Sequence, residues 1–590
     1  MGLFILFFMA SNKKPIKKLN QFFATAICGN DILSSTFYVS GISILYVGIY
    51  APVILAIIVL VLFFYKSVYT EVVEALPVNG GAYNCLLNAS SKTIAAFAGT
   101  MTILSYIATA VLSANTAIEY SNSVIPLPVI PLTIVLMLFF AVLVISGIKD
   151  SARVAFAIFA AHILVLTVFL IFGLLYVFHG GHSYLLSNLQ STKGIALKSG
   201  GLLTALFFGF SASLLGVSGF ESSANFVEEQ DHGVFRKTLR NMLIGVAIFN
   251  PLVALVVLNV MPYPAIVHAA DFLLSDAGRI MGGTIFEYVV VIDAFLVLAG
   301  AVLTGYVGVS GLIYRMTTDG CFPNALGKLN KKGTAPYIVI AFFLLCSSIL
   351  LITKGNLLSL AGVYTIAFLS VMSLFAFGNL LMRETRPTLK RTYHAPFIFV
   401  LLAFIATASG VIGNIRLDPT NFDYFLYYFV PTLGIVFFSL KLDDIYISLL
   451  HVTKNASIIH QWLQKHFDDI ISGKYIVFVH HIDRLYDVLE YINRNEIGRD
   501  IYIVHCNNND KKYYQKSFKN FKETMPHLQR AGVFDHFNLH LLYRDEPFGP
   551  EIVDKVAKEL KVRKNRILIG SIHGTHPFDY ENLGNVRIIF

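Results

Sequence analysis

Apolar runs of roughly 20 residues recur along the chain from Leu19 to Leu440. A helix of about 20 residues rises about 30 Å, which is the thickness of the hydrocarbon core of a bilayer. The chain has 590 residues, of which 56% are hydrophobic and only 14% are charged. This composition is too apolar for a soluble enzyme of that length. The sequence therefore predicts an α-helical polytopic membrane protein.

The apolar runs predict about twelve spans, near residues 21–45, 51–73, 94–118, 127–147, 152–178, 203–227, 239–261, 285–313, 336–354, 357–382, 395–414 and 424–440. Lysine and arginine are concentrated in alternate loops, which by the positive-inside rule face the cytoplasm. An even number of spans then leaves both termini in the cytoplasm. We expect a multi-pass protein of the plasma membrane, the inner membrane in a bacterium, with a cytoplasmic N-terminal segment (1–18) and a transmembrane domain (19–440).

After Leu440 the composition becomes polar, and β-branched runs alternate with segments of helical period. Candidate strands lie at residues 475–480, 500–506, 537–544, 565–571 and 586–590. Strands separated by helices favour a parallel sheet. Residues 441–590 are therefore expected to form a cytoplasmic α/β domain of the Rossmann-like type, which could also mediate a homodimer.

Gly570, Ser571 and Gly574 follow one of these candidate strands. Such a turn can hold a phosphate, so a regulatory nucleotide is one interpretation. The complete glycine-rich fingerprint is absent, and a plain structural turn is the other interpretation.

The first span contains an acid and several hydroxyls, namely Asp31, Ser34, Ser35 and Tyr38. Inserting an ionisable group at membrane depth costs at least about 2.5 kcal/mol of free energy. In transporters, interrupted helices near the midplane bind ions or substrate. Asp31 and Tyr38 lie two helical turns apart and could line one cavity. Alternatively, Asp31 caps a helix near the surface.

The sixth span carries a second polar interruption, which includes Ser218, Gly219 and Glu221. Two interrupted spans that each begin a set of five predict a 5+5 inverted repeat, with a binding site between its halves. Ser218 and Gly219 are candidates for that site, and Glu221 is a candidate proton carrier. Alternatively, Glu221 only forms a hydrogen bond with a neighbouring helix.

The third span places Tyr106, Thr109 and Ser113 on one helical face. These hydroxyls either bind substrate or join neighbouring helices. Asp293 in the eighth span is either a coupling group or the partner of a donor elsewhere in the chain. His162 in the fifth span is expected to be structural.

Two loops resemble those of the amino acid, polyamine and organocation transporter superfamily. They are the proline and double-glycine loop at residues 76–83 and the loop at residues 315–336. With the interrupted spans, the resemblance covers most of residues 19–440. It implies a secondary active carrier that works by alternating access.

Within that superfamily, the run from Asp31 to Tyr38 resembles the potassium uptake permeases. In that family, an aspartate and a tyrosine seven positions apart help to bind the dehydrated cation, and the C-terminus carries a cytoplasmic α/β domain. The resemblance implies that Asp31, Tyr38, Tyr106, Thr109, Ser113, Ser218 and Glu221 form a cation site or couple transport. One potassium branch has a second acid in span three, where this chain has Ser105.

The favoured function is proton-coupled uptake of a small cation, most notably potassium. An amino acid or polyamine permease of the same fold is the alternative, and a membrane sensor that signals through its C-terminal domain is the second alternative. Either a proton or sodium could be the coupling ion, and no cofactor is required.

Residues 441–590 lack a nucleophile with a base at motif spacing, so we do not expect an enzyme. The positive charge of +9 lies mainly beside spans, so nucleic acid is not an expected partner.

Overall fold

In the computed structural model, the described residues are 18–147, 152–179, 183–225, 227–231, 233–323, 325–387, 389, 391–453, 474–479, 485–496, 500–506, 519, 523, 537–562, 564–570 and 586–589. The predicted N-terminal segment therefore lies almost entirely outside the described residues. Two compact units are present. The first comprises residues 1–90, 95–314 and 325–433, and the second comprises residues 91–94, 315–324 and 434–590.

The first half of the membrane part consists of helices α1 to α9. Their bounds are Gln21–Ser34 (α1), Thr36–Val47 (α2), Ala51–Ala75 (α3), Gly81–Ala89 (α4), Lys92–Asn122 (α5), Val129–Ile145 (α6), Ala152–Phe178 (α7), Leu185–Lys198 (α8) and Leu202–Ser213 (α9). The polar sequences of α4 and α8 hide these two short helices from a search for apolar runs.

The second half consists of helices α10 to α16. Their bounds are Val234–Val260 (α10), Tyr263–His268 (α11), Leu273–Thr318 (α12), Pro336–Thr353 (α13), Leu357–Thr385 (α14), Phe397–Leu417 (α15) and Pro419–Val452 (α16). The eighth span begins earlier than expected, because α12 continues through a kink at Gly283, where φ is +73°. The twelfth span also continues beyond Leu440, the predicted boundary.

By length and hydropathy, ten helical stretches of the described residues could cross a membrane. One stretch, Gln21–Ala75, holds two spans joined by a turn at Gly48–Tyr50. Val129–Ile145 is a shorter apolar helix of 17 residues. The described residues thus contain twelve apolar spans, and the prediction of a polytopic helical membrane protein is confirmed.

The second unit contains a five-stranded parallel sheet. Its elements are Lys474–Phe478 (β1), Leu485–Asn495 (α17), Asp500–Cys506 (β2), Asn538–Arg544 (β3), Pro550–Leu560 (α18), Ile567–Gly570 (β4) and Arg587–Ile589 (β5). The strand order is β3-β2-β1-β4-β5, which is the doubly wound order of Rossmann-like folds. The predicted parallel α/β domain is therefore confirmed.

Candidate functional site

The first span is interrupted at a single residue, Ser35, between α1 and α2. The Ser35 amide donates to the Ile32 carbonyl at 3.3 Å, as in a 3₁₀ turn. The Ser34 and Ser35 hydroxyls donate to the carbonyls of Asp31 and Ile32, at 2.6 and 2.7 Å. Such bonds compete with the helical backbone pattern and bend helices. The serines thus account for an interruption that is short and leaves few backbone amides free.

The sixth span is interrupted over a longer stretch. After α9, a 3₁₀ turn at Leu214–Val217 is followed by Gly219 with φ of +90° and a second 3₁₀ turn at Glu221–Asn225. A Cβ atom on Gly219 would lie 2.7 Å from the Ile32 amide nitrogen and 3.0 Å from the Asp31 carboxyl carbon. Only glycine is compatible with both this φ and this close approach. Gly219 thereby brings the two interruptions together.

Hydrogen bonds also join the two interruptions directly. The Ser35 hydroxyl and the Asn250 amide both donate to the Gly216 carbonyl, at 3.3 and 3.2 Å. The Tyr38 hydroxyl lies 3.3 Å from the Ser218 hydroxyl. Ser35 and Tyr38 of span one therefore lie against Gly216 and Ser218 of span six. We call this place the break site.

Two carboxylic acids border the break site. Asp31 is 6% exposed, and Glu221 is 8% exposed and accepts the Gly219 amide at 3.0 Å. The charges of Asp31 and Glu221 interact with each other. Within the described part of the chain, no lysine or arginine forms an ion pair with either acid.

Hydroxyl side chains from two further spans surround the acids. Tyr106 accepts a hydrogen bond from the Asn225 amide, and the Thr109 hydroxyl, which donates to the Ser105 carbonyl at 2.8 Å, lies near Tyr364. Tyr364, on α14, interacts electrostatically with both acids. Sequence reasoning missed Tyr364 because a lone tyrosine in an apolar span gives no signal. Ser113 is buried on α5, but no hydrogen bond among the described residues joins it to the break site.

Asp293 is paired with a histidine. The His162 Nδ1 atom lies 2.7 Å from Asp293 Oδ2, and both side chains are buried. The Phe37 ring packs beside the imidazole, with ring centroids 5.3 Å apart. The donor that the sequence left unidentified is therefore His162. Its Nε2 atom is buried with no hydrogen-bond partner among the described residues.

The predicted nucleotide turn lies mostly beyond the described residues. Gly570 is the last residue of β4. Ser571 and Gly574 lie outside the described residues, so the expectation for this turn stays a prediction. Among the described residues, no group of three or more histidine, cysteine, aspartate or glutamate side chains could hold a metal ion.

The arrangement at the break site can bind a positive charge. Two buried carboxyl groups interact with each other, and several hydroxyl oxygens lie nearby. Burying a charge without a partner costs free energy. A cationic ion, an ammonium group or protons could each supply the missing positive charge. Carboxylate and hydroxyl oxygens are the ligands that hard cations prefer.

The comparisons with known proteins concern mainly the membrane part. The profile of a family described as amino acid permease matches residues 19–438. The branched-chain amino acid permease BcaP of Bacillus subtilis is 25% identical over 261 residues, which are 43% of this chain and 52% of that protein. BcaP of Lactococcus lactis subsp. cremoris is 25% identical over 300 residues, which are 48% of this chain and 59% of that protein. The matches thus span little more than half of these relatives.

Among solved structures, a variant of the manganese transporter of Eremococcus coleocola is similar to this chain, with a TM-score of 0.48 and 12% sequence identity. The similarity covers 71% of this chain and 93% of that structure.

Proposed function

This chain belongs to the amino acid permease family, and we propose that it is a secondary active carrier of a small monovalent cation, potassium foremost. It is a multi-pass membrane transporter and not an enzyme. The proposed direction is uptake, driven by an inward proton gradient. In this proposal both termini face the cytoplasm, because lysine and arginine are concentrated in the loops on that side.

One observation carries the proposal: Asp31 and Glu221 are buried together without a described cationic partner. A buried charge that lacks a partner costs several kcal/mol, on the order of 3–5 when a pair is broken. In a carrier this missing positive charge favours substrate binding, because a bound cation neutralises the buried carboxylates. The substrate would thus supply the charge that the protein lacks.

The neighbouring oxygens suit a dehydrated alkali cation. The hydroxyls of Tyr38 and Ser218 lie 3.3 Å apart, next to the acid-bearing turn of span one. Thr109 and Tyr364 add two further hydroxyls nearby. Oxygen ligands can replace the hydration shell of such an ion. We assign cation binding to Asp31, Tyr38 and Ser218.

We assign proton coupling to Glu221. Its carboxylate accepts the Gly219 amide, and Gly219 abuts Asp31. A proton on Glu221 would weaken that bond and reduce the repulsion between the two acids. Occupancy of Glu221 by a proton and of Asp31 by a cation are therefore linked through Gly219.

An amino acid permease is the second candidate, and the names of the two bacterial relatives favour it. In this version, Asp31 would bind the ammonium group of the substrate. The substrate carboxylate would need free backbone amides. The Ser35 amide is bonded to Ile32 and the Gly219 amide to Glu221, so these bonds would first have to open.

The test measures the uptake of rubidium, as a potassium probe, and of labelled branched-chain amino acids into proteoliposomes. Each uptake is measured with and without an inward proton gradient. Asp31→Asn is compared with Asp423→Asn, which removes an exposed acid of α16. We expect gradient-driven rubidium uptake that is lost only in Asp31→Asn. Amino acid uptake without rubidium uptake would establish the second candidate. If folded protein transports neither, both candidates fail.

A further inference from the structure

The second compact unit includes more than the sheet. It also contains residues 91–94 and 315–324. The first segment includes the start of α5, at Lys92, and the second includes the end of α12, at Thr318. The chain therefore leads directly from this unit into the third span and out of the eighth.

A buried arginine on the last described strand joins the sheet to one of these segments. A terminal nitrogen of the Arg587 guanidinium, Nη2, lies 2.5 Å from Glu496 Oε1 and 2.7 Å from the Tyr491 hydroxyl. The Nε atom of Arg587 lies 3.0 Å from Asp319 Oδ1, in an ion pair. Arg587 thus pairs with one acid from the sheet domain, after α17, and one acid from residues 315–324.

Glu496 extends the same cluster to the other segment. Its Oε1 atom lies 3.2 Å from Lys92 Nζ, and its Oε2 atom accepts the Tyr475 hydroxyl at 2.8 Å. The Asn495 side chain accepts the Lys92 backbone amide at 2.7 Å. Because the first amides of a helix have no intrahelical acceptor, Asn495 satisfies an amide at the start of α5. Asn495 and Glu496 therefore bind this helix end by both charge and capping.

The cluster is largely shielded from water. The charged side chains of Arg587, Glu496, Asp319 and Lys92 are 4%, 7%, 1% and 12% exposed. Buried ion pairs are poorly screened by salt, and removing one partner is strongly destabilising. Surface ion pairs contribute little by contrast. The contacts are thus suited to hold two pieces of chain in one fixed position.

We propose that Arg587, Glu496, Asp319 and Lys92 form an ionic latch through which the sheet domain holds the start of the third span and the end of the eighth. Arg587 and Glu496 belong to the part of the second unit that contains the sheet, whereas Lys92 lies in residues 91–94 and Asp319 in residues 315–324. A displacement of β5 or of the end of α17 is transmitted to both helix ends through these pairs. The latch does not depend on which substrate the membrane part carries.

The test is hydrogen–deuterium exchange of the full-length protein in lipid nanodiscs. Asp319→Asn removes the acid that faces Arg587, and Lys92→Met removes the cation that faces Glu496. Arg587→Met alters only the sheet side of the latch. Glu559→Gln is the matched control, since it breaks the exposed pair between Arg544 and Glu559 in the same unit.

We expect Asp319→Asn to speed exchange at residues 315–324, and Lys92→Met to speed exchange at residues 91–94, at least about tenfold each. Arg587→Met is expected to speed exchange in residues 315–324 although it changes no residue there. Exchange in β1 and β2 should match that of Glu559→Gln. Exchange in both segments at the control rate would overturn the latch. If Asp319→Asn and Arg587→Met lose their fold, Lys92→Met, which keeps the pair between Arg587 and Glu496, decides alone.

Discussion

Two pairs of buried acids in this protein differ in what surrounds them. Asp31 and Glu221 in the membrane part have no ion-paired cation among the described residues. Glu496 and Asp319 in the second unit are both paired with Arg587, and each has a second cation, Lys92 for Glu496 and Arg315 for Asp319. The carboxylate group thus has two different roles in this protein. An acid paired within the chain holds the fold, whereas an acid left unpaired is available to a ligand.

The largest expected effect concerns the paired acids. Arg587→Met should lower the stability of the second unit by about 3–5 kcal/mol, because it removes the buried cation that Glu496 and Asp319 share. The measurement is the thermal unfolding midpoint of the full-length protein in detergent, with exchange in the strands to locate the change. A midpoint equal to that of Glu559→Gln would show that the paired acids do not stabilise the second unit.

The stability that the paired acids provide should depend on pH. Burial alone would raise the pKa of Glu496, but Arg587 and Lys92 outweigh it and hold that pKa at about 2, below its ordinary value of 4.5. The stabilisation is therefore complete above pH 4.5 and is lost as the pH falls toward 2. The shift corresponds to about 3 kcal/mol.

This pH prediction is checked on the unfolding midpoint between about pH 6 and pH 3. The gap between the wild-type protein and Glu496→Gln should narrow as the pH falls, since the variant lacks the titrating group. A gap that stays constant would mean that Glu496 is not held ionised by its partners.

The unpaired acids should respond in the opposite way. Asp31→Asn removes a buried charge that has no described partner, so the unfolding midpoint is expected to stay level or rise. Uptake of whichever substrate the wild-type protein carries should fall about 100-fold, which corresponds to about 2.7 kcal/mol of lost transition-state stabilisation. A large loss of stability would reveal a cationic partner and place Asp31 with the structural acids.

The smallest effect is expected from the neutral hydroxyl groups of the break site. Tyr38→Phe removes one hydroxyl that lies 3.3 Å from Ser218 and leaves both acids in place. We expect uptake at low substrate concentration to fall about tenfold, since a neutral hydrogen-bonding group contributes about 0.5–1.5 kcal/mol. Tyr428→Phe, which removes a hydroxyl bonded to Ser348 on another helix, is the control. Equal effects of the two changes would remove Tyr38 from the site.

Much of the fold could be predicted because its signals are local. Runs of apolar residues long enough to span a bilayer define the helices, and β-branched runs define the strands. Helix ends were less predictable. The kink at Gly283 lets α12 continue through a stretch that reads as a loop, and α16 runs on into polar sequence as far as Val452.

The candidate site was predictable residue by residue but not as an assembly. The polar stretches at Asp31 and Glu221 stand out in apolar spans, since a buried acid is costly wherever it lies. Tyr364 carries no such signal. The pairing of His162 also carries no local signal, because its partner Asp293 lies 131 positions away.

The spans, the strands and the identity of the polar residues at membrane depth follow from the order of the amino acids, because hydrophobicity and backbone preference act over short distances. Which acids have partners became known only from the packed helices and strands. Asp319 and Arg587 are far apart in the chain, and so are Asp31 and Gly219, and whether such groups meet depends on how helices and strands pack. Whether a buried charge is paired depends on the groups within a few ångströms of it, because these groups set its free energy.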